Sequence, residues 1–277
     1  RPEYEKRTFH SEEVDSYIER LKSKFNDKNL FKLFSNCYPN TLDTTIDYDK
    51  EKKETFIITG DIKAMWLRDS SLQIYPYLKH CPKDSELSDM IKGLFKKQIS
   101  YILLDPYANA FNKEPLESPW INDITYKRNI NGEFENAMNK DLWERKFELD
   151  SIIFPIFTLS KYYLITKDYE IFQQNNFYKM IDTILGVIQK ERRGTDEEDN
   201  KGGPEYFFQR KFEEPFDSLH LGRGNPCKTC GLIKTSFRNS DDSALFAYNI
   251  PENCLLVSSF KLLIKCFNDE DMEASLR

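Results

Sequence analysis

Residues 59–71, TGDIKAMWLRDSS, place two carboxylates, an indole and a guanidinium within one short segment. Asp61 and Asp69 flank Trp66 and Arg68. Unpaired charges are costly to bury, and an ordinary surface loop has no need of an indole. The mixture is therefore typical of a polar pocket with an aromatic wall. The alternative is purely structural: a turn acid at Asp61, a helix N-cap at Asp69, and an ion pair with Arg68.

Three further segments combine carboxylates with an amide, a tryptophan or an arginine at the predicted edge of a helix. They are DPYANAFN (105–112), WERKFELDS (143–151) and SFRNSDDSA (236–244). Carbohydrate binding needs this set of groups, because carboxylates and amides form paired hydrogen bonds with sugar hydroxyls and aromatic rings cover the C–H faces of the sugar. Together with the first segment, they favour a carbohydrate site.

Asp241 and Asp242 are candidates for acid chemistry. Glycoside hydrolysis needs one protonated and one ionised carboxyl group. Adjacent acids repel, which can raise the pKa of one of them, and a general acid at neutral pH needs a raised pKa. The alternative is that the pair caps the N-terminus of a helix, where carboxylates are favoured. Spacing alone favours the cap.

The other polar segments also have structural explanations. An amphipathic helix face would account for residues 143–146, and Tyr107 and Phe111 are four residues apart, as core positions of a helix are. Asn109 is harder to explain in this way, because a buried amide needs hydrogen-bond partners.

Composition excludes several classes of protein. The chain has 277 residues and a net charge of -6, which suits one large domain or two ordinary ones. It contains no basic stripe interleaved with aromatics, so nucleic-acid binding has little support. It contains no apolar run of about 18 residues, so no membrane span is predicted. The compartment stays open.

The CxxC pair, Cys227 and Cys230, is interpreted as two loop cysteines. A zinc ribbon needs a second such pair, and the sequence has only three His residues, none at a convincing ligand spacing. A redox pair should follow a strand and open a helix, whereas Pro226 and Gly231 flank this one. Metal binding and redox chemistry remain the alternatives.

Hydrophobic periodicity predicts a mostly helical chain. Helices are predicted over 11–25, 70–78, 85–106, 140–168, 168–193 and 251–267, with an extended piece at 43–58 and an acidic surface loop from 195. Strand–helix alternation with glycine-rich turns is absent, which argues against a doubly wound sheet. Paired helices joined by long polar loops favour an all-α toroid or barrel with a site at one end. An ordinary helical bundle is the alternative.

The four segments, with their continuations TGDIKAMWLRDSSLQIYPYL and FRNSDDSALFAYNIPENCLLV, resemble glycoside hydrolase family 125 in that order. The resemblance covers about residues 37–267. These enzymes are exo-acting α-1,6-mannosidases. The resemblance implies a single catalytic-type (α/α)6 domain over 1–277, inversion at the anomeric carbon, a mannose-containing oligosaccharide or glycan as ligand, and neither metal nor cofactor.

The resemblance also assigns residues. It implies that Asp241 or Asp242 is the general acid, without separating the two. The first segment would line the subsite for the terminal mannose, with Arg68 and Asp69 as contacts and Trp66 as wall. The full set of implied substrate-binding residues is Asp61, Trp66, Arg68, Asp69, Asn109, Glu148 and Arg238.

Two features depart from the family. Its members are longer, and their base glutamate lies in a region beyond Arg277, so no general base is assigned; Glu252, Glu270 and Glu273 lie in no matching motif. We therefore expect a barrel truncated before its last helices and a chain that is inactive alone. The cysteine pair is the second departure. The alternative functions are a catalytically inactive carbohydrate-binding relative and a helical scaffold that binds a protein partner.

Overall fold

The computed structural model describes residues 1–129, 131–211 and 214–269, so Glu270 and Glu273 lie outside the described residues. Helices hold about half of the chain. The α-helices in the described ranges are α1 (Glu12–Leu21), α2 (Lys28–Cys37), α3 (Asn40–Thr44), α4 (Leu67–Ile74), α5 (Ser85–Leu104), α6 (Leu149–Thr166), α7 (Asn175–Glu191), α8 (Thr195–Asn200) and α9 (Ile250–Phe267). Short 3₁₀ helices join them, the longest at Tyr75–Lys83.

Eight short strands in the described ranges form three antiparallel sheets. The strands are β1 (Ile46–Asp49), β2 (Glu54–Ile57), β3 (Ala64–Trp66), β4 (Ala110–Asn112), β5 (Ile124–Arg128), β6 (Phe134–Asn136), β7 (Leu142–Glu144) and β8 (Phe207–Gln209). They pair in the orders β1-β2, β3-β4-β7 and β6-β5-β8. The prediction of an all-α chain is thus right for the dominant elements and misses the sheets, apart from the extended piece at 43–58.

The best-predicted helices have both a cap and an apolar stripe. The hydroxyl of Ser11 accepts the backbone N–H of Val14 at 3.2 Å and begins α1. The carboxylate of Asp84 likewise accepts the backbone N–H of Leu87 and begins α5. In α9, Asn249 is the N-cap and Pro251 lies in the first turn, where its missing N–H costs no hydrogen bond.

Helix α5 fixes the position of α4 through a buried amide. The Gln98 side chain donates to the hydroxyls of Ser70 and Ser71, at 2.9 Å each. All three side chains are buried, and a buried polar group is stabilised only when it is hydrogen-bonded. The buried amide of α5 therefore holds the first turns of α4 by hydrogen bonding.

Three predicted helix starts are wrong: the helix predicted from 168 begins at Asn175, and the other two concern the segments with candidate site residues. The helix predicted from 70 begins at Leu67, which places Arg68 and Asp69 in the first turn of α4 and makes Trp66 the N-cap. The helix predicted from 140 begins at Leu149, because residues 142–144 pair with β4 instead. The expected helix face at 143–146 is therefore extended chain. Tertiary pairing overrides local helix propensity here.

Helix α6 packs against both α4 and α9. Most of its side chains are buried, as expected for a helix with apolar residues all round. The N-termini of α4 and α6 emerge from the same β3-β4-β7 sheet. Between α8 and α9, residues 210–249 contain only two 3₁₀ turns among the described positions. The Cys227–Cys230 pair lies there, outside the helices and strands, in agreement with the interpretation as loop cysteines.

None of the helices in the described ranges combines the length and the apolar character that a membrane span needs.

Candidate active site

The β3-β4-β7 sheet brings three of the four predicted segments together. Trp66 pairs with Ala110, and Ala110 pairs with Glu144. The backbone N–H of Leu67 donates to the carbonyl of Asn109 at 3.1 Å. Helix α4 starts directly after β3, and α6 starts at Leu149, a short distance after β7 ends at Glu144, so the charged residues at both helix starts come together.

Arg68 is the centre of this cluster. Its guanidinium donates to Glu148 Oε2 at 2.6 Å and reaches Asp150 Oδ1 at 3.4 Å. It also lies 3.5 Å from Asp69 Oδ2 and 4.0 Å from Asp241 Oδ1. One cation from the first segment thus contacts carboxylates of the third and fourth segments. The structural ion pair considered from the sequence exists, but it extends well beyond Asp69.

Glu148 and Asp150 are buried carboxyls at the start of α6. Burial raises the pKa of Glu148 well above its ordinary value, and the charge of Arg68 opposes this only in part. Burial likewise raises the pKa of Asp150. Glu148 occupies the N-cap position, yet its side chain caps nothing. It accepts from Arg68 and from the Ser151 hydroxyl at 2.8 Å instead, so it belongs to the cluster.

Asp241 and Asp242 face different surroundings. The side chain of Asp241 is 56% exposed and lies beside Arg68. Loss of solvent on the side of the carboxyl that faces the cluster, followed by the charge of Glu144, raises the pKa of Asp241, while a hydrogen bond with Glu148 acts in the opposite direction. Asp242 forms an ion pair with Arg238 and accepts from the Ser240 hydroxyl. The adjacent acids therefore have separate roles in the structure.

The pair does not cap a helix, so that alternative is wrong. Phe237 and Ser243 form an antiparallel bridge around a tight turn. The next helix begins only at Ile250, with Asn249 as its cap. Asp241 lies within the turn and has a φ of 66°, a left-handed conformation that is uncommon for a residue other than glycine.

The remaining predicted residues lie in different environments. The Trp66 ring is buried and meets Trp143 edge-on, with centroids 6.5 Å apart. Asn109 is fully buried, donates to Glu144 Oε2 at 3.0 Å and accepts from the backbone of Lys146. Its amide is thus satisfied within the protein. Tyr107 and Phe111, the other pair from this segment, are buried as core residues.

Asp61 and Arg238 lie at the exposed periphery. Asp61 is in the turn between Thr59 and Ile62, which agrees with the turn-acid alternative. No hydrogen bond or ion pair within the described ranges links it to Arg68. Arg238 is exposed and pairs with Asp242. Asp69 is not an N-cap; its Oδ2 is buried and, within the described chain, lacks a hydrogen-bond partner.

Sequence reasoning missed Lys146 and Glu252. Lys146 donates to the backbone carbonyl of Asp241 at 2.7 Å. Glu252, in the first turn of α9, accepts from Asn249 at 2.8 Å, and burial followed by the charge of Asp150 raises its pKa to about 8.

The sequence does contain a signal for the position of Lys146. Charged residues recur at 144, 146 and 148, with Arg145 as the one charged residue between them; a period of two indicates extended chain with one polar face.

Within the described ranges, no group of three or more His, Cys, Asp or Glu side chains is arranged to hold a metal ion. The cluster combines several carboxyls of raised pKa with one arginine, and glycoside hydrolysis uses a pair of carboxyl groups in different protonation states. Comparison with known sequences agrees, since the profile of the metal-independent α-mannosidases, glycoside hydrolase family 125, matches residues 27–276. The chain belongs to this family.

Individual relatives support the assignment. The meiotically up-regulated gene 157 protein of Schizosaccharomyces pombe is 36% identical over 268 residues, covering 93% of this chain and 51% of the relative. A metal-independent α-mannosidase from Streptococcus pneumoniae, solved in a non-productive complex with α-1,6-mannobiose, superposes with a TM-score of 0.81 at 31% identity. That match covers 96% of this chain and 59% of the bacterial one. The chain thus spans little more than half the length of either relative.

Proposed function

We propose that the full-length gene product is an exo-acting α-mannosidase that removes terminal non-reducing α-1,6-linked mannose with inversion. The family membership supports the reaction class. The mannobiose bound to the bacterial relative supports the linkage. The substrate would be a mannose-containing oligosaccharide or glycan, with its terminal sugar against the Arg68 cluster.

The observation that most directly supports this function is the separation of Asp241 from Asp242. Only Asp241 faces the cluster, and its raised pKa favours the protonated form that a general acid requires. Its partial exposure leaves the carboxyl accessible to a glycosidic oxygen. Asp241 would donate its proton to that oxygen as the C–O bond breaks. Water attacking the opposite face of the anomeric carbon would then release β-mannose.

The general base is proposed to lie outside this chain. An inverting enzyme needs a second, ionised carboxylate about 6.5–9.5 Å from the acid, with room for water between them. Glu148 and Asp150 are buried, and both bind Arg68. Neither is suited to take a proton from water.

The sugar contacts are proposed to come from the first segment. The buried Oδ2 of Asp69, beside the Arg68 guanidinium, is ready to accept from a sugar hydroxyl. Trp66, with Trp143 against its edge, forms the aromatic wall. Asn109 and Glu148 would act indirectly: Asn109 would fix Glu144 and the backbone of Lys146, and Glu148 would fix Arg68. Direct contacts of Asp61 and Arg238 with the substrate stay predictions.

The fold proposal follows from the same family. We propose a single (α/α)6 domain, of which the described helices form the larger part and further helices of the full-length protein complete the ring.

An NMR time course with α-1,6-mannobiose and the full-length gene product tests the proposal. β-Mannose should appear first and then mutarotate. Asp241→Asn should lower kcat by about 10²–10⁴-fold, the range for loss of a general acid, with KM little changed. Asp242→Asn is the matched control and should retain most activity. First release of α-mannose would disprove inversion, and no release at all would disprove hydrolysis of this linkage.

The alternative function is a carbohydrate-binding protein that does not hydrolyse. It is favoured by one observation, that Glu148 and Asp150, the carboxyls closest to Arg68, are buried and unsuited to act as a base. Calorimetric titration distinguishes the two functions. Binding of α-1,6-mannobiose by the full-length protein, lost in Asp69→Ala and accompanied by no release of mannose, would establish the alternative.

A further inference from the structure

The backbone of the turn that contains Asp241 accepts a hydrogen bond from a buried lysine, Lys146. Within the turn, Asp241 N donates to the Arg238 carbonyl at 2.8 Å, and Arg238 N donates to the Asp242 carbonyl at 2.9 Å. The carbonyl oxygen of Asp241 takes no part in these two hydrogen bonds and accepts from Lys146 Nζ at 2.7 Å. At this left-handed residue, where φ is 66°, both the backbone N–H and the backbone carbonyl are therefore hydrogen-bonded.

Lys146 is itself rigidly placed. It is only 2% exposed. Its backbone N–H donates to the buried amide oxygen of Asn109 at 3.0 Å. Its ammonium group lies 5.1 Å from the centre of the Phe237 ring, at the base of the turn. A chain of contacts therefore leads from the central sheet, through Asn109 and Lys146, to the backbone of Asp241.

We propose that Lys146 is a positioning residue, which holds the backbone of Asp241 in the conformation that directs its carboxyl toward the Arg68 cluster. This inference rests on the proposed function, in which Asp241 is the general acid. Lys146 touches neither the sugar nor the reacting atoms; it acts through the carbonyl of Asp241.

Two observations favour positioning over simple charge compensation. The carboxylates near Lys146 lie farther away than the carbonyl does, with Asp217 at 3.4 Å and Glu144 at 3.8 Å. Glu144 already has Arg210 at 2.9 Å as a partner. In addition, left-handed backbone at a residue other than glycine persists only where the surroundings determine it, and a charged donor forms a stronger hydrogen bond than a neutral one.

The charge of Lys146 also gives a pH signature. The groups that face the carboxyl of Asp241 are Glu144 from β7, Glu148 before α6, Arg68 on α4, and Lys146. Lys146 and Arg68 both favour the ionised form of Asp241. Removing the Lys146 charge therefore raises the pKa of Asp241, and the basic limb of the pH–rate profile moves to higher pH because the acid stays protonated longer.

Three variants of the full-length gene product test the proposal. Lys146→Met removes both donor and charge, and kcat should fall by about 10–100-fold, as for a misplaced reacting group, with KM little changed. Lys146→Gln keeps a donor and should recover part of kcat while showing the same shift of the basic limb. Lys140→Met, at an exposed lysine paired with Glu117, is the control and should match the unmodified protein.

Crystal structures of the variants give a readout that does not depend on activity. In Lys146→Met, the carbonyl of Asp241 should turn away from residue 146, and the backbone of Asp241 should leave its left-handed conformation. An unchanged turn would overturn the proposal, as would equal losses in the Met and Gln variants with an unmoved pH limb. If the unmodified protein released no mannose, the proposed function would fail, and the turn geometry would still decide the role of Lys146.

Discussion

Arg68 is the residue on which the electrostatics of the site depend. It is the nearest cation to two buried carboxyls, Glu148 and Asp150, and it also reaches Asp69 and Asp241. A buried ion pair adds little net stability, but removing one partner is costly, since a charge is then left buried without compensation. Stability should therefore depend on this side chain, and so should the proposed sugar binding.

Replacing Arg68 should show both effects. Arg68→Ala should lower the free energy of unfolding by about 3–5 kcal/mol, the range for breaking a buried ion pair, and should abolish mannose binding. Urea denaturation and calorimetric titration measure the two quantities. Arg20→Ala, at an exposed arginine paired with Glu13, is the control and should cost about 0–1 kcal/mol. Equal losses in the two variants would contradict the central role of Arg68.

The raised pKa of Glu252 predicts that the stability of the fold depends on pH. Its pKa rises from an ordinary value of 4.5 to about 8 on folding, mainly through burial. The folded state therefore holds a proton that the unfolded state releases. The resulting stabilisation is fully present below pH 4.5, falls as the pH rises, and is lost once the pH passes 8.

Glu252→Gln should remove this dependence, because glutamine mimics the protonated acid and still accepts from Asn249. The difference in unfolding free energy between variant and unmodified chain should then grow in favour of the variant from pH 5 to pH 8, when both are unfolded in urea. Glu5→Gln, at an exposed glutamate, should show no such trend. A constant difference across this range would contradict protonation of Glu252 in the fold.

At the residue scale, the sequence predicted which side chains lie close together, but not which chemical role each of them has. Arg68, Asp69, Glu148 and Asp241 do meet, because their segments each lie at an element edge. The separation of Asp241 from Asp242 depends on a left-handed turn and on Arg238, which is four residues before Asp242. Local spacing cannot determine such a turn when the contact that holds it, from Lys146, lies 95 residues away.

At the element scale, helices with a cap and a long apolar stripe were predictable, and short strands were not. α1, α5 and α9 satisfy both local criteria. β3, β4 and β7 have three residues each, too few for an alternating pattern to be recognised. They form because each strand pairs with a strand from a distant part of the chain. The starts of α4 and α6 were misplaced for the same reason.

The packing of α5 on β2 depends on a single glycine. A Cβ at Gly93 would lie 2.8 Å from Thr55 Oγ1 and 3.0 Å from the Lys53 carbonyl. Gly93→Ala should therefore destabilise the chain by about 1–3 kcal/mol through overpacking, although alanine favours the helix by about 1 kcal/mol. Thermal unfolding measures the change.

Gly186 in α7 is the matched control, because a Cβ there meets nothing within 4 Å. Gly186→Ala should stabilise the chain by about 0.5–1 kcal/mol, as expected for glycine replacement in a helix interior. Stabilisation by both substitutions would show that α5 and β2 are not in close contact.

At the scale of the whole molecule, α9 has apolar side chains on two faces. Leu263 and Cys266 are buried, on a helix that packs against α6. On another face, Ile250, Val257 and Ile264 recur every seven residues and are 55%, 50% and 57% exposed. A helix that is apolar on both sides is usually buried on both sides. This outer stripe agrees with the proposed barrel, in which further helices of the full-length protein would cover α9.

The stripe gives a test that compares the 277-residue chain with the full-length gene product. Val257→Lys combined with Ile264→Lys should change the unfolding free energy of the 277-residue chain by only about 0.5 kcal/mol, as for surface positions. In the full-length protein the same lysines would be forced into an apolar contact, so stability and mannosidase activity should both be lost. Leu116→Lys, at an exposed leucine outside the helices, should affect neither. If the double variant behaves alike in both proteins, α9 forms an outer wall and the proposed barrel is not closed on that side.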